Sequence, residues 1–361
     1  MKNFQVIKNK QFLQKHIGDM SQIAGLKRYS FSEGKAKGIE AVDFKTGSGF
    51  HFTVLPGRGM DIAWAEYKGT PVSYISKTGI IAPSYFESDG KNWLRSFFAG
   101  LLTTCGLSNA GDPCEDEDPI VGTRKYGLHG RISNMGADNV CVKEEWQGDD
   151  FVMSVSGRVR ESMLFCENLT LKREITSKLG ANSLIIKDTI ENEAFIDWPL
   201  MLLYHINIGY PLVDEKSRFI CNINETVPVG SISEEKKELF SQMHSPAKGE
   251  REQVFFHDLK TDNNGMTCCG IINPDLELGV YLKYKKTQLP KFTQWKMMGE
   301  SEYVMGIEPG NTNPTGLSGA KKKGSLEYLE AGQKKEIELE IGILSTQKEI
   351  EEFTKLVSSL T

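Results

Sequence analysis

From about residue 37 the chain alternates apolar and polar side chains in short runs. Residues 37–45, 50–55, 151–159, 168–176, 183–191, 200–208, 278–284 and 335–343 carry the alternation most clearly. A period of two sends successive side chains to opposite faces, so each run reads as a strand with one buried face. The first run ends in Thr46, Gly47, Ser48 and Gly49, and the second stops at Pro56 and Gly57, so the two read as a hairpin. Turn signals separate the strands, with no long helical patterns between them. That predicts an all-β fold, a large antiparallel sandwich with short peripheral helices, rather than βαβ units. Helical patterns are confined to the first 24 residues and to 347–360. With no linker and no clear repeat, one domain over 1–361 is expected, residues 1–34 forming a helical extension packed on it.

Composition narrows the partners. Hydrophobic residues are 39% and charged residues 25%, an ordinary globular balance. The formal charge is −5, from 48 acids against 43 bases, which disfavours a nucleic-acid surface. The most apolar stretch, 93–102, is interrupted by Arg95, Ser96 and Gly100, and is far shorter than the roughly 20 residues of a membrane span. The N-terminus has no signal-peptide core. Seven cysteines, an odd number without a paired CxxC spacing, read as reduced thiols. These features predict a cytoplasmic protein with no membrane partner and a neutral or singly charged small molecule as ligand.

Six segments carry candidate chemistry. In 203–211 (LYHINIGYP), His205 and Asn207 share one face of a strand that breaks at Gly209 and Pro211. In 303–316, Glu308 ends an apolar run, and Pro309 then removes a backbone donor. In 126–134 (YGLHGRISN), glycines flank His129, leaving room for close backbone or ligand approach, and Arg131 and Asn134 add polar groups. In 55–62, Arg58 sits between glycines with Asp61 three residues on, either a donor fork for hydroxyls or an ion pair in a tight turn. In 106–118, Asn109 and Asp112 could reach a ligand, while the acids 115–118 lack calcium-loop spacing and read as a solvated loop. In 292–298, Gln294 and Lys296 share a strand face with Phe292, and Trp295 points the other way. Lys321, Lys322 and Lys323 read as a solvated turn.

Taken together, these motifs resemble the aldose 1-epimerase, or galactose mutarotase-like, superfamily, and within it an uncharacterised bacterial branch. The order is what carries the likeness: His129 with Gly130, then His205 at a strand end, then Glu308 with Pro309. The resemblance covers the chain from about residue 35. It implies a β-supersandwich, a sugar substrate and no cofactor or metal. It also implies that His205 is a general acid, Glu308 a general base and His129 a substrate-binding group. The superfamily's usual His-Pro-Tyr-Phe is replaced here by His205, Ile206, Asn207 and Ile208. Arg58, Asp61, Arg131, Asn134, Asn207, Gln294 and Lys296 complete the expected binding set.

Two other readings use the same residues. A sugar-binding protein without activity would use them only to hydrogen-bond hydroxyls. A metal-dependent sugar isomerase would use His129, His205 and Glu308 as a two-His, one-carboxylate set. The oligomeric state is not legible in the sequence.

Overall fold

Two antiparallel sheets face each other across one main hydrophobic core. The computed structural model describes residues 10–118 and 120–361. The larger sheet runs in the order Gly25–Ser30, Glu40–Lys45, Phe50–Leu55, Asp61–Tyr67, Leu102–Leu107, Trp198–Gly209, Glu302–Gly310, Lys291–Gly299, Gln253–Leu259, Ile223–Val229. The second runs Asp138–Gln147, Asp150–Ser162, Asn168–Lys178, Ser183–Asn192, Lys334–Leu344, Leu278–Lys285, Met266–Asn273, Arg218–Ile220. All eight alternating runs of the sequence fall on these strands, the first of them only from Glu40 on. The hairpin forms too, with Val42 opposite Val54 and Phe44 opposite Phe52.

The inner faces supply the core. Phe44, Phe52, Ile62, Tyr204, Ile206 and Ile307 from the larger sheet meet Val155, Leu171, Ile186 and Ile341 from the second. A buried ionic cluster bridges the two layers. Arg173, on the second sheet, forms a bidentate pair with Asp188, at 2.9 Å from Nε to Oδ1 and 2.6 Å from Nη2 to Oδ2. Its Nη1 donates to Thr104 Oγ1 at 2.8 Å and reaches Asp61 Oδ1 at 3.3 Å, both on the larger sheet. Tyr204, beside His205, donates its hydroxyl to Asp188 at 2.6 Å. The strand carrying His205 is therefore tied from behind to the opposite sheet.

Four local expectations need correction. The helix expected over the first 24 residues is, in its described part, only Lys10–His16, and residues 1–9 lie outside the described residues. Part of the expected helical extension is strand Gly25–Ser30, whose backbone pairs with Glu40–Lys45 and completes the sheet edge. The acidic tract is not a loop: Cys114–Asp118 pairs with Gly122–Tyr126, and its charges meet Lys321, Arg124 and Lys125. Lys321 and Lys322 close the short helix Gly316–Lys322 rather than a turn.

The C-terminal helix Gln347–Ser358 is capped by Thr346, whose hydroxyl accepts from Glu349 N at 3.2 Å. It buries Ile350, Phe353 and Val357 against Cys268 and Leu344. All seven cysteines are free thiols. No helix among the described residues is long and apolar enough to cross a membrane.

Candidate functional site

Strand register builds the site. On Trp198–Gly209, Tyr204 and Ile206 enter the core, so His205 faces outward. Ile206 pairs with Ile307, which sets His205 opposite Glu308 on the neighbouring strand. One strand further, Thr293 pairs directly with Glu308. On the other side Thr103 pairs with His205. Thr103, His205, Glu308 and Thr293 thus form one row across four strands of the outer face. His205 Nε2 lies 3.3 Å from Glu308 Oε1.

His205, Glu308 and Thr293 of this row floor a cleft of about 470 Å³. Trp93, Phe97 and Trp295 wall it; the Phe97 and Trp295 rings lie 5.1 and 5.3 Å from the His205 ring, centroid to centroid. His129 enters from above, its ring 5.8 Å from His205 and 4.8 Å from Trp93. Lys91, Asp112, Arg251 and Glu252 stand at the lining's more exposed edge. Apolar walls with few polar groups on the floor are the usual composition of a small-molecule site.

The electrostatics follow from burial. His205 and Glu308 are 5% and 2% exposed, too little to solvate charge well. Burial, with the charge of Glu252 adding to it, pushes the Glu308 carboxyl well above the usual carboxylate range. Burial first, and His129 second, pushes His205 well below the usual imidazole value, against a small opposing effect of Asn207. Both shifts favour the uncharged forms of the pair, a carboxylic acid facing a neutral imidazole. Burial likewise lowers His129 to about 4. Gly111 N donates to His129 Nδ1 at 3.3 Å, and this hydrogen bond assigns the remaining ring proton to Nε2. His129 is thereby a fixed neutral donor. Within this row three buried side-chain atoms have no hydrogen-bond partner among the described residues: His205 Nδ1, Glu308 Oε1 and Thr293 Oγ1. Clustered along one row, they mark a place built to hold polar atoms of something else.

Of the residues singled out in the sequence, His129, His205 and Glu308 meet in this cleft, and Asp112 borders it. The others do not line it. Arg58 is buried, and its guanidinium is consumed by carbonyls: Nε to Ser133 O at 2.6 Å, Nη2 to Ser96 O at 3.2 Å, and Nη1 to Ile81 O. It clamps three loops together instead of offering a fork to hydroxyls. Asp61 belongs to the Arg173 cluster, where burial raises it to about 7. Arg131 lines a separate groove with Arg124 and Glu161. Asn134 is buried and donates to Ser133 Oγ at 3.2 Å. Asn207 is buried beside His205 on the same strand and donates to its backbone carbonyl at 2.9 Å. Asn109 staples Gly127 O and Leu317 N. The glycines flanking His129 admit backbone, not ligand: a Cβ at Gly130 would meet Gly106 O at 2.3 Å, and one at Gly127 would meet Ser88 O at 2.0 Å.

Strand Lys291–Gly299 reverses the expected face. Gln294 is fully buried, with His257 Nε2 against its Oε1 at 2.8 Å and its own amide donating to Phe240 O. Lys296 donates to the carbonyls of Leu239 and Gln242. Thr293 and Trp295, the other parity, face the cleft, and Trp295 Nε1 donates to Glu252 at 3.0 Å. Among the described residues, no three metal-ligating side chains are placed to hold an ion.

Residues 36–343 match the family described as "Domain of unknown function (DUF4432)". The chain belongs to the DUF4432 family. No curated protein matches it. Among solved structures, this DUF4432 chain is similar to a "putative aldose 1-epimerase" from Klebsiella pneumoniae, with 23% identity, 98% of this chain and 90% of that chain covered, and a TM-score of 0.87. It is also similar to a galactose mutarotase-like protein from Clostridium acetobutylicum, with 15% identity, 90% and 100% coverage, and a TM-score of 0.62. A galactose 1-epimerase from Lactobacillus acidophilus matches at 10% identity, 90% and 100% coverage, and a TM-score of 0.57. The fold of this DUF4432 protein is thus the galactose mutarotase-like supersandwich.

Proposed function

We propose that the cleft binds a small sugar and interconverts its anomers, with Glu308 as base and His205 as acid. The observation that carries this is the row of unpartnered buried atoms, His205 Nδ1, Glu308 Oε1 and Thr293 Oγ1, with His205 and Glu308 only 3.3 Å apart. Anomer exchange needs one proton acceptor and one proton donor at the same carbon–oxygen centre. It needs no metal or cofactor. The pair shares one transferable proton, which the two shifts favour on Glu308. Passing it to His205 sets the roles. Glu308 then takes the anomeric hydroxyl proton while His205 protonates the ring oxygen, and the ring opens. Rotation about C1–C2 and closure on the other face reverse both transfers. His129 Nε2–H holds a sugar oxygen, and the aromatic walls pack on the C–H faces.

Acid–base groups of this kind contribute about 10²- to 10⁴-fold each. Glu308→Gln is expected to lower catalysed anomer exchange by about that factor, read by NMR exchange or polarimetry across a panel of aldoses. An unchanged rate in a folded variant would remove Glu308 from the chemistry. Saturable binding without exchange in the native protein would leave the cleft as a binding site only.

A further inference from the structure

A second groove lies apart from the His205 cleft. It lies toward the edge of the same sheet, about 670 Å³ in volume, on strands Gly25–Ser30, Glu40–Lys45, Phe50–Leu55 and Asp61–Tyr67. Register orders its lining into two rows. Lys27 pairs with Asp43, and Asp43 with Thr53, and Trp64 continues this row on the fourth strand, beside the irregularity in its pairing with Phe50–Leu55. Gly25 pairs with Lys45, Lys45 with His51, and His51 with Glu66. The alternate residues Phe44, Phe52 and Ala65 enter the core, so these polar side chains share the outward face.

The chemistry of this face is specific. Lys27 and Lys45 balance Asp43 and Glu66 in formal charge, and several of these groups are already engaged. Lys45 Nζ donates to Gln22 O at 3.0 Å, His51 Nδ1 lies 3.6 Å from Glu66 Oε1, and Asp43 Oδ1 accepts from Thr53 Oγ1 at 2.6 Å and Tyr29 Oη at 3.1 Å. A face that neutralises itself gives no net field for a polyanion. It still offers hydrogen-bonding capacity, since Asp43 keeps its second carboxylate oxygen and Thr53 keeps acceptor lone pairs. Beside these groups stands Trp64, a large ring that is 40% exposed on an otherwise polar sheet face. Phe31, 6.1 Å away and tilted by 50°, braces one part of that ring without covering it. An aromatic platform flanked by a fixed row of acceptors and donors suits a ligand with apolar C–H faces and equatorial hydroxyls. It suits neither a fatty chain nor a phosphate.

We propose that this groove is a second, non-catalytic carbohydrate site, taking a neutral oligosaccharide that stacks on Trp64 and hydrogen-bonds along Asp43 and Thr53. Its volume lies within the roughly 300–1,000 Å³ typical of small-molecule sites. None of its lining residues belongs to the His205 cleft. The two sites are therefore built from separate residues: one would bind a chain, the other a free reducing sugar.

The test uses the full chain and a panel of neutral di- and tetrasaccharides of glucose, galactose and N-acetylglucosamine. The indole N–H signals of the five tryptophans are followed by NMR during titration. At least one oligosaccharide is expected to shift the Trp64 signal saturably. Trp64→Ala should weaken that binding about tenfold or more, with Trp64→Phe restoring part of it. Glu308→Gln should leave it unchanged, which separates this site from the reading of the cleft. If no saccharide in the panel moves the Trp64 signal, the proposal fails. A shift of the same signal with protein concentration alone, matched by a dimer in sedimentation, would assign the groove to a second copy of the chain and also overturn it.

Discussion

His205 Nε2 and Glu308 Oε1 face each other at 3.3 Å from register-paired positions on adjacent strands, and both are sealed from solvent. Chemistry requires that this pair hold one proton. Adding a second proton puts charge on His205, whose value is pushed well below 6.5. Removing the last one ionises Glu308, whose value is pushed well above 4.5. The two act as a coupled unit, so both limbs belong to the pair. Anomer exchange measured as kcat/KM is expected to be bell-shaped, its acid limb lying below pH 6.5 and its alkaline limb far above pH 4.5. A profile that rises through 6.5, as for a solvated imidazole base, would contradict the buried neutral pair.

The same displacement has a cost in stability. A carboxyl whose folded value exceeds 4.5 holds its proton more tightly when folded. Its favourable contribution is complete below pH 4.5 and is lost as pH rises through the folded value. Glu308→Gln removes that dependence while keeping the shape. The variant's Tm advantage over the native chain should therefore grow with pH, and differential scanning fluorimetry at about pH 5 and about pH 8 checks it. An advantage that shrinks as pH rises would mean that Glu308 is ionised in the folded protein.

Much of this was legible beforehand because alternation reports which face is buried. All eight alternating runs became strands, and the three residues on which the family likeness rests came together. Strand Leu102–Leu107 escaped because every residue in it is buried, which leaves no alternation to read. The remaining binding candidates lie away from the cleft for a different reason. Arg58, Asp61, Gln294 and Lys296 look like surface donors and acceptors in sequence, yet each is buried against carbonyls or ions from segments far along the chain. Parity alone cannot say which face of 291–299 is covered, so the sequence does not distinguish Thr293 and Trp295 from Gln294 and Lys296 as the cleft-facing set. The signal that was present was the tryptophan, a large ring on the face opposite Gln294.

The Arg173 cluster makes a prediction about rigidity. Its guanidinium answers Asp188 and Asp61 at once, and Asp188 also receives the Tyr204 hydroxyl. Removing one member of a buried pair leaves an unpaired charge and costs about 3–5 kcal/mol. Arg173→Met is expected to lower stability by about that amount in urea unfolding. Asp61→Asn should cost less, because burial already raises Asp61 to about 7 and its proton is partly retained at neutrality. A larger loss for Asp61→Asn than for Arg173→Met would show that Asp61, not Asp188, is the principal counter-ion.

Thr293 separates function from fold. Its hydroxyl is buried, has no partner among the described residues and sits directly opposite Glu308. A buried hydroxyl without a partner is a liability to the folded chain. Thr293→Val keeps the shape and deletes the hydroxyl, so stability should hold or rise slightly. Sugar binding should weaken, because the deleted group is one the ligand would satisfy. A hydrogen bond worth about 0.5–1.5 kcal/mol corresponds to roughly 2- to 12-fold in KM or Kd. Calorimetric titration paired with thermal unfolding reads both quantities on one sample. A variant that loses stability while binding sugar normally would make Thr293 a packing residue and would place the ligand elsewhere along the row.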